Sequence, residues 1–483
     1  MPGSARTTQL AVIGGGPGGY AAAFLAADLG LQVTLIDQEA NPGGVCLYRG
    51  CIPSKALLHV AQMLTEARHA RHWGITFAPP RIEVDQLRAW KDGVVQKLTA
   101  GLGELCKRRN VTFVQGRATF LDATTLAVRP VQGEEERLTF AHAVIATGSR
   151  PAVVPHLQST SPRLLDSTGA LALPDIPRSL LVVGGGYIGL EMATVYAALG
   201  TQVSVVEMTD GLLPGADRDL VSLLSRRLEP MLASLMLTTT VVAIQEAGQG
   251  LQVTFEGASV QESRQTFDRV LVAVGRRPNS NDLGLEHTRV EVTPRGFIRV
   301  DAQRRTAEPT IYAIGDVAGE PMLAHKASHE GRVAVEALAG HKVAFEPQAI
   351  PAVVFTDPEI AWCGLTETQA QQTQRPIEVA RFPWAASGRA MTLDRAEGVT
   401  KLILDPATQR ILGVGIAGSG AGELIAEGVL AVEMAALASD LALSIHPHPT
   451  LSETLMEAAE VFFGQSTHVY RPARRRSGTA PPG

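Results

Sequence analysis

The sequence predicts an α/β protein built on two Rossmann-like dinucleotide-binding domains. Three observations predict it. A glycine-rich pattern near the start reads as strand, tight turn and helix; the same pattern returns 170 residues later, at Leu180 after Leu10; and each copy runs on into a second apolar strand that ends in a carboxylate. The surrounding chain has 483 residues, 45% hydrophobic and 19% charged, an ordinary globular balance for roughly two to four domains.

The first copy reads Leu10-Ala-Val-Ile-Gly-Gly-Gly-Pro-Gly-Gly19, then an Ala-rich helical pattern, then Val33-Thr-Leu-Ile-Asp37. The second reads Leu180-Leu-Val-Val-Gly-Gly-Gly-Tyr-Ile-Gly189, a further helix, and Val203-Ser-Val-Val-Glu207. Each supplies the whole context that a dinucleotide fingerprint needs. Gly14 and Gly184 permit the tight turn, Gly16 and Gly186 let backbone approach a pyrophosphate, and Gly19 and Gly189 let helix meet strand. The helix N-terminus then faces the phosphates. Asp37 and Glu207 sit where a carboxylate accepts ribose hydroxyls. Glu207 is followed by Met-Thr-Asp, with no cation to meet a 2'-phosphate, so the second site is expected to take NAD and not NADP.

Several classes are excluded early. Four cysteines cannot build the disulfide framework of a small secreted domain, which points to a reducing compartment. The start lacks the charged-then-apolar pattern of a secretory signal, so the expected location is cytoplasmic. No uncharged apolar run reaches about 18 residues, so no membrane partner is expected. A net charge of -5 gives no general reason to bind nucleic acid.

Five further pieces accompany the fingerprints: Gly43-Gly-Val-Cys-Leu-Tyr-Arg-Gly-Cys-Ile-Pro-Ser-Lys55, Ala146-Thr-Gly-Ser149, Ala273-Val-Gly-Arg-Arg-Pro-Asn279, Ile311-Tyr-Ala-Ile-Gly-Asp316 and Met322-Leu-Ala-His-Lys-Ala327. Together they resemble the pyridine nucleotide-disulfide oxidoreductase family, most closely its dihydrolipoyl dehydrogenase branch, over about residues 8 to 465. The resemblance implies FAD at the first fingerprint and NAD at the second. It divides the chain into an FAD-binding part (1–150), an NAD-binding domain (151–275), a returning FAD segment (276–347), a C-terminal α+β dimerisation domain (348–468) and a basic tail (469–483) expected to be disordered. For FAD it implies Gly14, Gly16, Gly19, Asp37, Lys55, Ala118, Thr147, Gly148, Asp316 and Ala324; for NAD, Gly184, Gly186, Tyr187, Gly189, Glu207 and Gly275. Tyr187 either covers the nicotinamide or is a packed tyrosine without a role.

Cys46 and Cys51 lack the second cysteine pair or histidine cluster that zinc would need, so no metal is expected. A structural disulfide has no motive in a cytosolic chain. Beside a flavin, the remaining reading is a redox dithiol. By resemblance Cys46 exchanges with a substrate disulfide and Cys51 lies against the flavin as a charge-transfer thiolate, while Lys55 approaches the flavin with Glu191 as its ion-pair partner. Val45, Tyr48 and Arg49 replace the threonine, asparagine and valine usual in that family. Arg49 could favour a thiolate, contact an acidic carrier or face solvent. Cys106 falls on an apolar helical stripe with Leu87, Trp90, Val94, Leu98 and Leu102, and Cys363 reads as a strand hydrophobe; both are expected in the core.

Oxidising a dithiol sheds protons, so a base is required. His446-Pro-His-Pro-Thr-Leu-Ser-Glu453 matches the family's pattern, which makes His448 the base and Glu453 its orienting acid, with His446 the lesser candidate. The resemblance further implies a homodimer in which each base serves the neighbouring subunit. The implied activity is FAD-dependent oxidation of dihydrolipoyl groups on a lipoylated carrier protein or acyltransferase subunit, with reduction of NAD. The alternatives are another NAD(P)H-dependent disulfide reductase of this fold, or a non-catalytic scaffold in a lipoyl-enzyme assembly. The residues from 471 on contain no acid and are either a solvated tail or a docking segment for an acidic lipoyl domain.

Overall fold

β1 (Ala5–Ile13) shows why the sequence folds in layers, because its residues 10 to 13 are buried on both faces and feed two separate cores. Leu10 and Val12 pack with Ala22, Ala23 and Ala26 of α1 (Pro17–Asp28). Ala11 and Ile13 point the other way, into a cluster with Phe120, Leu126 and Phe140. Strands buried on both faces are the mark of a parallel sheet. The computed structural model describes residues 5–257, 260 and 262–470; the tail of residues 471–483 lies outside the described residues.

The chain forms two compact units, one holding the chain up to Asp210 with Ser234–Glu346, the other Gly211–Ala233 with the chain from Pro347 on. The segment Gly211–Ala233, inside the span 151–275 expected to bind NAD, thus packs within the second unit.

In the first unit, β1 pairs in parallel with β2 (Val33–Asp37), Leu10 opposite Val33 and Ile13 opposite Ile36. α2 (Gly44–Arg49), α3 (Cys51–His69) and α4 (Val84–Arg108) follow. β3 (Thr112–Asp122) continues the parallel sheet beside β2, and β5 (Glu136–Ile145) and then the strand Ile311–Ala313 extend it beyond β1. β4 (Thr125–Pro130) joins the far ends of β3 and β5 in antiparallel fashion. A second, wholly parallel sheet is built around Ser179–Val183, flanked by Gln202–Val206 and Arg269–Val272. Both sheets place a glycine turn and a helix directly after a central strand, β1 in one and Ser179–Val183 in the other, so the internal repeat is structural as well as sequential.

α4 corrects one expectation. Its buried residues are Lys91, Val95, Thr99 and Cys106, whereas Trp90 and Leu98 of the expected stripe are exposed. The contact face is rotated from the apolar stripe and takes in Lys91, whose Nζ donates to Leu171 O at 3.0 Å and pairs with Asp92 at 2.8 Å. Cys106 is in the core as expected, as is Cys363.

The second unit is an antiparallel five-stranded sheet, from Ala352–Val354 through Glu359–Gly364, Ile411–Gly418 and Val399–Leu404 to Glu378–Pro383. The helices Ala421–Glu433 and Glu453–Phe463 contribute Ile425, Val432, Leu455 and Ala458 to its core around Trp384. The core also contains a fully buried ammonium. Lys401 Nζ lies 2.7 Å from Asp217 Oδ2, 2.7 Å from Asp219 Oδ1 and 2.8 Å from Glu367 Oε1. Those three carboxylates come close enough together to hold a metal ion, but the lysine occupies the position a cation would take. Burial alone would lower the Lys401 pKa; the three carboxylates outweigh it and raise it.

Candidate active site

Asp37 ends β2 with both oxygens engaged: Gly15 N donates to Oδ2 at 2.5 Å and Glu39 N to Oδ1 at 2.8 Å. Glu207 repeats the arrangement in the second sheet, accepting from Gly185 N at 2.7 Å and from Thr209 N at 2.8 Å. Each acid therefore closes the glycine turn of its own fingerprint. Gly14 adopts φ +104°, and a Cβ there would stand 2.3 Å from Ala146 O. A side chain at Gly44, φ +58°, would meet Gly16 Cα at 2.5 Å, so the turn and the start of α2 meet backbone to backbone. α1 begins at Pro17 with no acidic residue in its first turn, which leaves its N-terminus open to a phosphate.

These groups line a cavity of about 500 Å3. It brings together Gly14, Gly16, Asp37, Cys46, Cys51, Lys55, Thr147, Gly148, Asp316 and Ala324, with Tyr187 and Glu191 from the second fingerprint's helix. A glycine cradle that any Cβ would fill, next to a carboxylate at the end of the following strand, fits a dinucleotide. Gly19 instead packs α1 on the turn, where a Cβ would lie 1.8 Å from Gly14 O. Ala118 lines a neighbouring cavity of about 430 Å3 that also reaches Gly14 and Asp37. Gly184, Gly186, Gly189, Glu207 and Gly275 do not line the first cavity; the three glycines of the fingerprint form the second turn and its helix start, Glu207 follows the strand Gln202–Val206 and Gly275 follows the strand Arg269–Val272. Tyr187 lines the cavity and is 40% exposed; desolvation by its surroundings pushes its pKa up to about 12.

The two thiols are free and unequal. Cys46 is half-buried on α2; Cys51 is the first residue of α3 and exposed. Cys46 donates a hydrogen bond to Cys51, which, with the Lys55 ammonium, lowers the Cys51 pKa to about 7. The same bond, followed by burial, drives Cys46 far above the ordinary thiol range. A helix N-terminus favours a thiolate in the same sense. Lys55, one turn along α3, has its Nζ 2.9 Å from Glu191 Oε2, and Ser54 Oγ donates to the same oxygen at 2.7 Å.

Asp316 is held by two residues whose roles the sequence did not disclose. Ser149 Oγ donates to Asp316 Oδ2 at 2.5 Å, and Arg276 Nε donates to Ser149 Oγ at 2.7 Å. Both belong to motifs visible in the sequence, but 127 residues separate them, so only the pairing of Ser149–Pro151 with Arg276–Pro278 reveals the relay. Arg49, for which three alternatives stood open, pairs with Glu39, and Tyr48 Oη donates to Asn41 O at 3.0 Å.

In the second unit His448 Nδ1 lies 2.9 Å from Glu453 Oε1. Burial would raise the Glu453 pKa, but the Thr450 N–H at 2.8 Å and His448 outweigh it and hold the carboxyl low. His448 Nε2 has no hydrogen-bond partner among the described residues, and the side chain is 73% exposed. His446 differs: Nδ1 faces Ser444 O at 2.9 Å and Nε2 faces Glu427 at 2.8 Å, so both ring nitrogens are engaged within the unit.

Comparison with known proteins agrees with this construction. The sequence pattern described as "Pyridine nucleotide-disulphide oxidoreductase" matches residues 8–331, and that family's dimerisation domain matches residues 350–459. A Haemophilus influenzae protein named dihydrolipoyl dehydrogenase is 51% identical over 460 residues, 95% of this chain and 96% of that protein. A Vibrio cholerae protein of the same name is 49% identical over 461 residues, covering 95% and 96%. Among solved structures, LpdA from Mycobacterium tuberculosis is 28% identical with a TM-score of 0.87, covering 94% of this chain and 99% of that one. The Cu(II) complex of the HOCl-induced flavoprotein disulfide reductase RclA from Escherichia coli is 30% identical with a TM-score of 0.84, covering 94% and 99%. The chain therefore belongs to the pyridine nucleotide-disulphide oxidoreductase family of FAD- and NAD-using enzymes and carries that family's dimerisation domain.

Proposed function

We propose that this enzyme oxidises dihydrolipoyl groups carried on a lipoylated protein and passes the electrons to NAD, through a Cys46–Cys51 couple. The observation that carries the reading is the inequality of the two thiols in a cavity shared by both fingerprints. The full-length likeness to proteins named dihydrolipoyl dehydrogenase supports the substrate class. FAD supplies a two-electron acceptor for the reduced dithiol and NAD the final hydride acceptor. Gly14, Gly16, Asp37, Thr147, Gly148, Asp316 and Ala324 would hold FAD, and Gly184, Gly186, Gly189, Glu207 and Gly275 would hold NAD, with Tyr187 and the Lys55–Glu191 pair between them.

The thiol chemistry follows from leaving-group ability. A substrate thiolate attacks the Cys46 sulfur of the oxidised couple, and Cys51 departs, because the thiol of lower pKa leaves faster. The second substrate sulfur then closes on the first, breaks the mixed disulfide and expels Cys46. The substrate leaves as a cyclic disulfide, two electrons and two protons poorer, and both cysteines are reduced. Cys46 is the poor leaving group and must be protonated as it goes. His448 is suited to that work: Glu453 fixes Nδ1, so Nε2 is free to take the first substrate proton, return it to Cys46 and take the proton of the second substrate thiol in exchange, while Cys51 stays a thiolate. We assign this service to the partner subunit's His448 in a homodimer, and place the enzyme in the cytoplasm, where Cys106 and Cys363 stay reduced.

The test is NAD reduction by dihydrolipoamide and by lipoylated carrier proteins. Turnover with both supports the proposal. Turnover with neither, in protein that retains FAD, overturns it.

A further inference from the structure

The acidic end of β2 is tied to the dithiol helix at two points. From α2, Arg49 reaches back to pair with the Glu39 carboxylate, and Tyr48 Oη donates to Asn41 O at 3.0 Å while accepting the Asn41 N–H at 3.3 Å. Both anchors lie in residues 38–43, the loop that leaves Asp37. Glu39 N itself donates to Asp37 Oδ1 at 2.8 Å, and Gly43 N closes on Gly15 O at 2.7 Å. Asp37, Glu39 and Arg49 share one cavity wall.

The charges divide accordingly. Burial raises the Asp37 pKa and the N–H groups of Glu39 and Gly15 work against it; of the two charges in the ion pair, the Glu39 carboxylate raises it and the Arg49 guanidinium lowers it. The ammonium that acts on Cys46 and Cys51 is that of Lys55. Tyr48 and Arg49, two of the three positions at which this motif departs from its family, therefore reach back to the loop that leaves Asp37.

We propose that the Tyr48–Asn41 and Arg49–Glu39 pairs form a strap that retains FAD: they fix the 38–43 loop, and with it the carboxylate that takes the adenosine ribose, and so slow escape of the cofactor. Tyr48, Arg49 and Glu39 are positioning residues that act through Asp37. The inference rests on Asp37 as the FAD ribose acceptor. Arg49 is 39% exposed and Glu39 26%, so the effect of the ion pair is modest, about three- to five-fold in rate.

The experiment follows FAD release from the purified holoprotein by the rise in flavin fluorescence, at low and high salt. Arg49→Val and Glu39→Gln should each release FAD about three- to five-fold faster, the double variant no faster than the faster single one, and Tyr48→Phe should act in the same direction. Salt should speed release from the wild type and hardly affect Arg49→Val. Unchanged release in Arg49→Val and Tyr48→Phe overturns the strap, as does faster release that merely tracks a lower melting temperature of the apoprotein. A shifted Cys51 alkylation midpoint with unchanged release overturns it too and gives Arg49 to the dithiol. If Asp37→Asn leaves FAD release unchanged, the ribose assignment has failed, an outcome separate from the strap.

Discussion

Glu453 Oε1 lies 2.9 Å from His448 Nδ1, while its other oxygen accepts the Thr450 N–H at 2.8 Å. The carboxylate is thus fixed by backbone before it fixes the imidazole, and Nε2 is presented as a proton acceptor. Glu453→Gln keeps an oxygen for Nδ1–H but loses the charge. It should lower kcat about 10- to 100-fold, and His448→Ala about 100- to 10,000-fold, both read by steady-state dihydrolipoamide oxidation. Equal, small effects would remove the proton-transfer role.

A shared site has a genetic signature. Cys46→Ser chains mixed with His448→Ala chains should form heterodimers with one intact site of two, so random exchange restores about a quarter of wild-type activity. If both residues act within one chain, no heterodimer has an intact site. No recovery despite exchange demonstrated by mass would reject the shared arrangement.

The Cys46 hydrogen bond and the Lys55 ammonium hold Cys51 at about 7. In the reduced protein, iodoacetamide should modify Cys51 with a rate that rises through a midpoint near that value, because only the thiolate reacts. Cys46, pushed up, should lag behind it at every pH below 9 or so. Lys55→Met removes a favourable cation and should move the Cys51 midpoint upward. A midpoint at the ordinary thiol value of about 8.5 in the wild type would refute the lowering of Cys51, and equal rates for the two thiols would refute the inequality.

Lys401 is fully buried among three carboxylates. Lys401→Met leaves them facing one another without a cation and should destabilise the chain by about 3 kcal/mol, measured by chemical denaturation, without moving the Cys51 alkylation midpoint. A loss below about 0.5 kcal/mol would show that the cluster is solvated like a surface pair.

Both turns, both acids and the dithiol were legible in the sequence because each is a local pattern, set within a few residues by strand alternation, glycine geometry and helix starts. What was not legible depends on partners far along the chain. Lys401 reads as one charged residue in a strand until Asp217 and Asp219, more than 180 residues away, fold against it. Ser149 and Arg276 become a support for Asp316 only once two short strands pair. The buried face of α4 escapes the pattern for a related reason: hydrophobicity marks Trp90 and Leu98, whereas the buried face holds Lys91, whose partner Leu171 O lies 80 residues along the chain. Arg49 sits between the cysteines in sequence, yet its long side chain carries its charge back to Glu39.

In the proposed reaction electrons from a dihydrolipoyl group reach NAD through Cys46 and Cys51. The most direct test of this route is dihydrolipoamide-dependent NADH formation in FAD-loaded wild type, Cys46→Ser and Cys51→Ser proteins. The expected result is turnover in the wild type and a loss of about 1,000-fold or more in each variant; wild-type rates in either variant would contradict it.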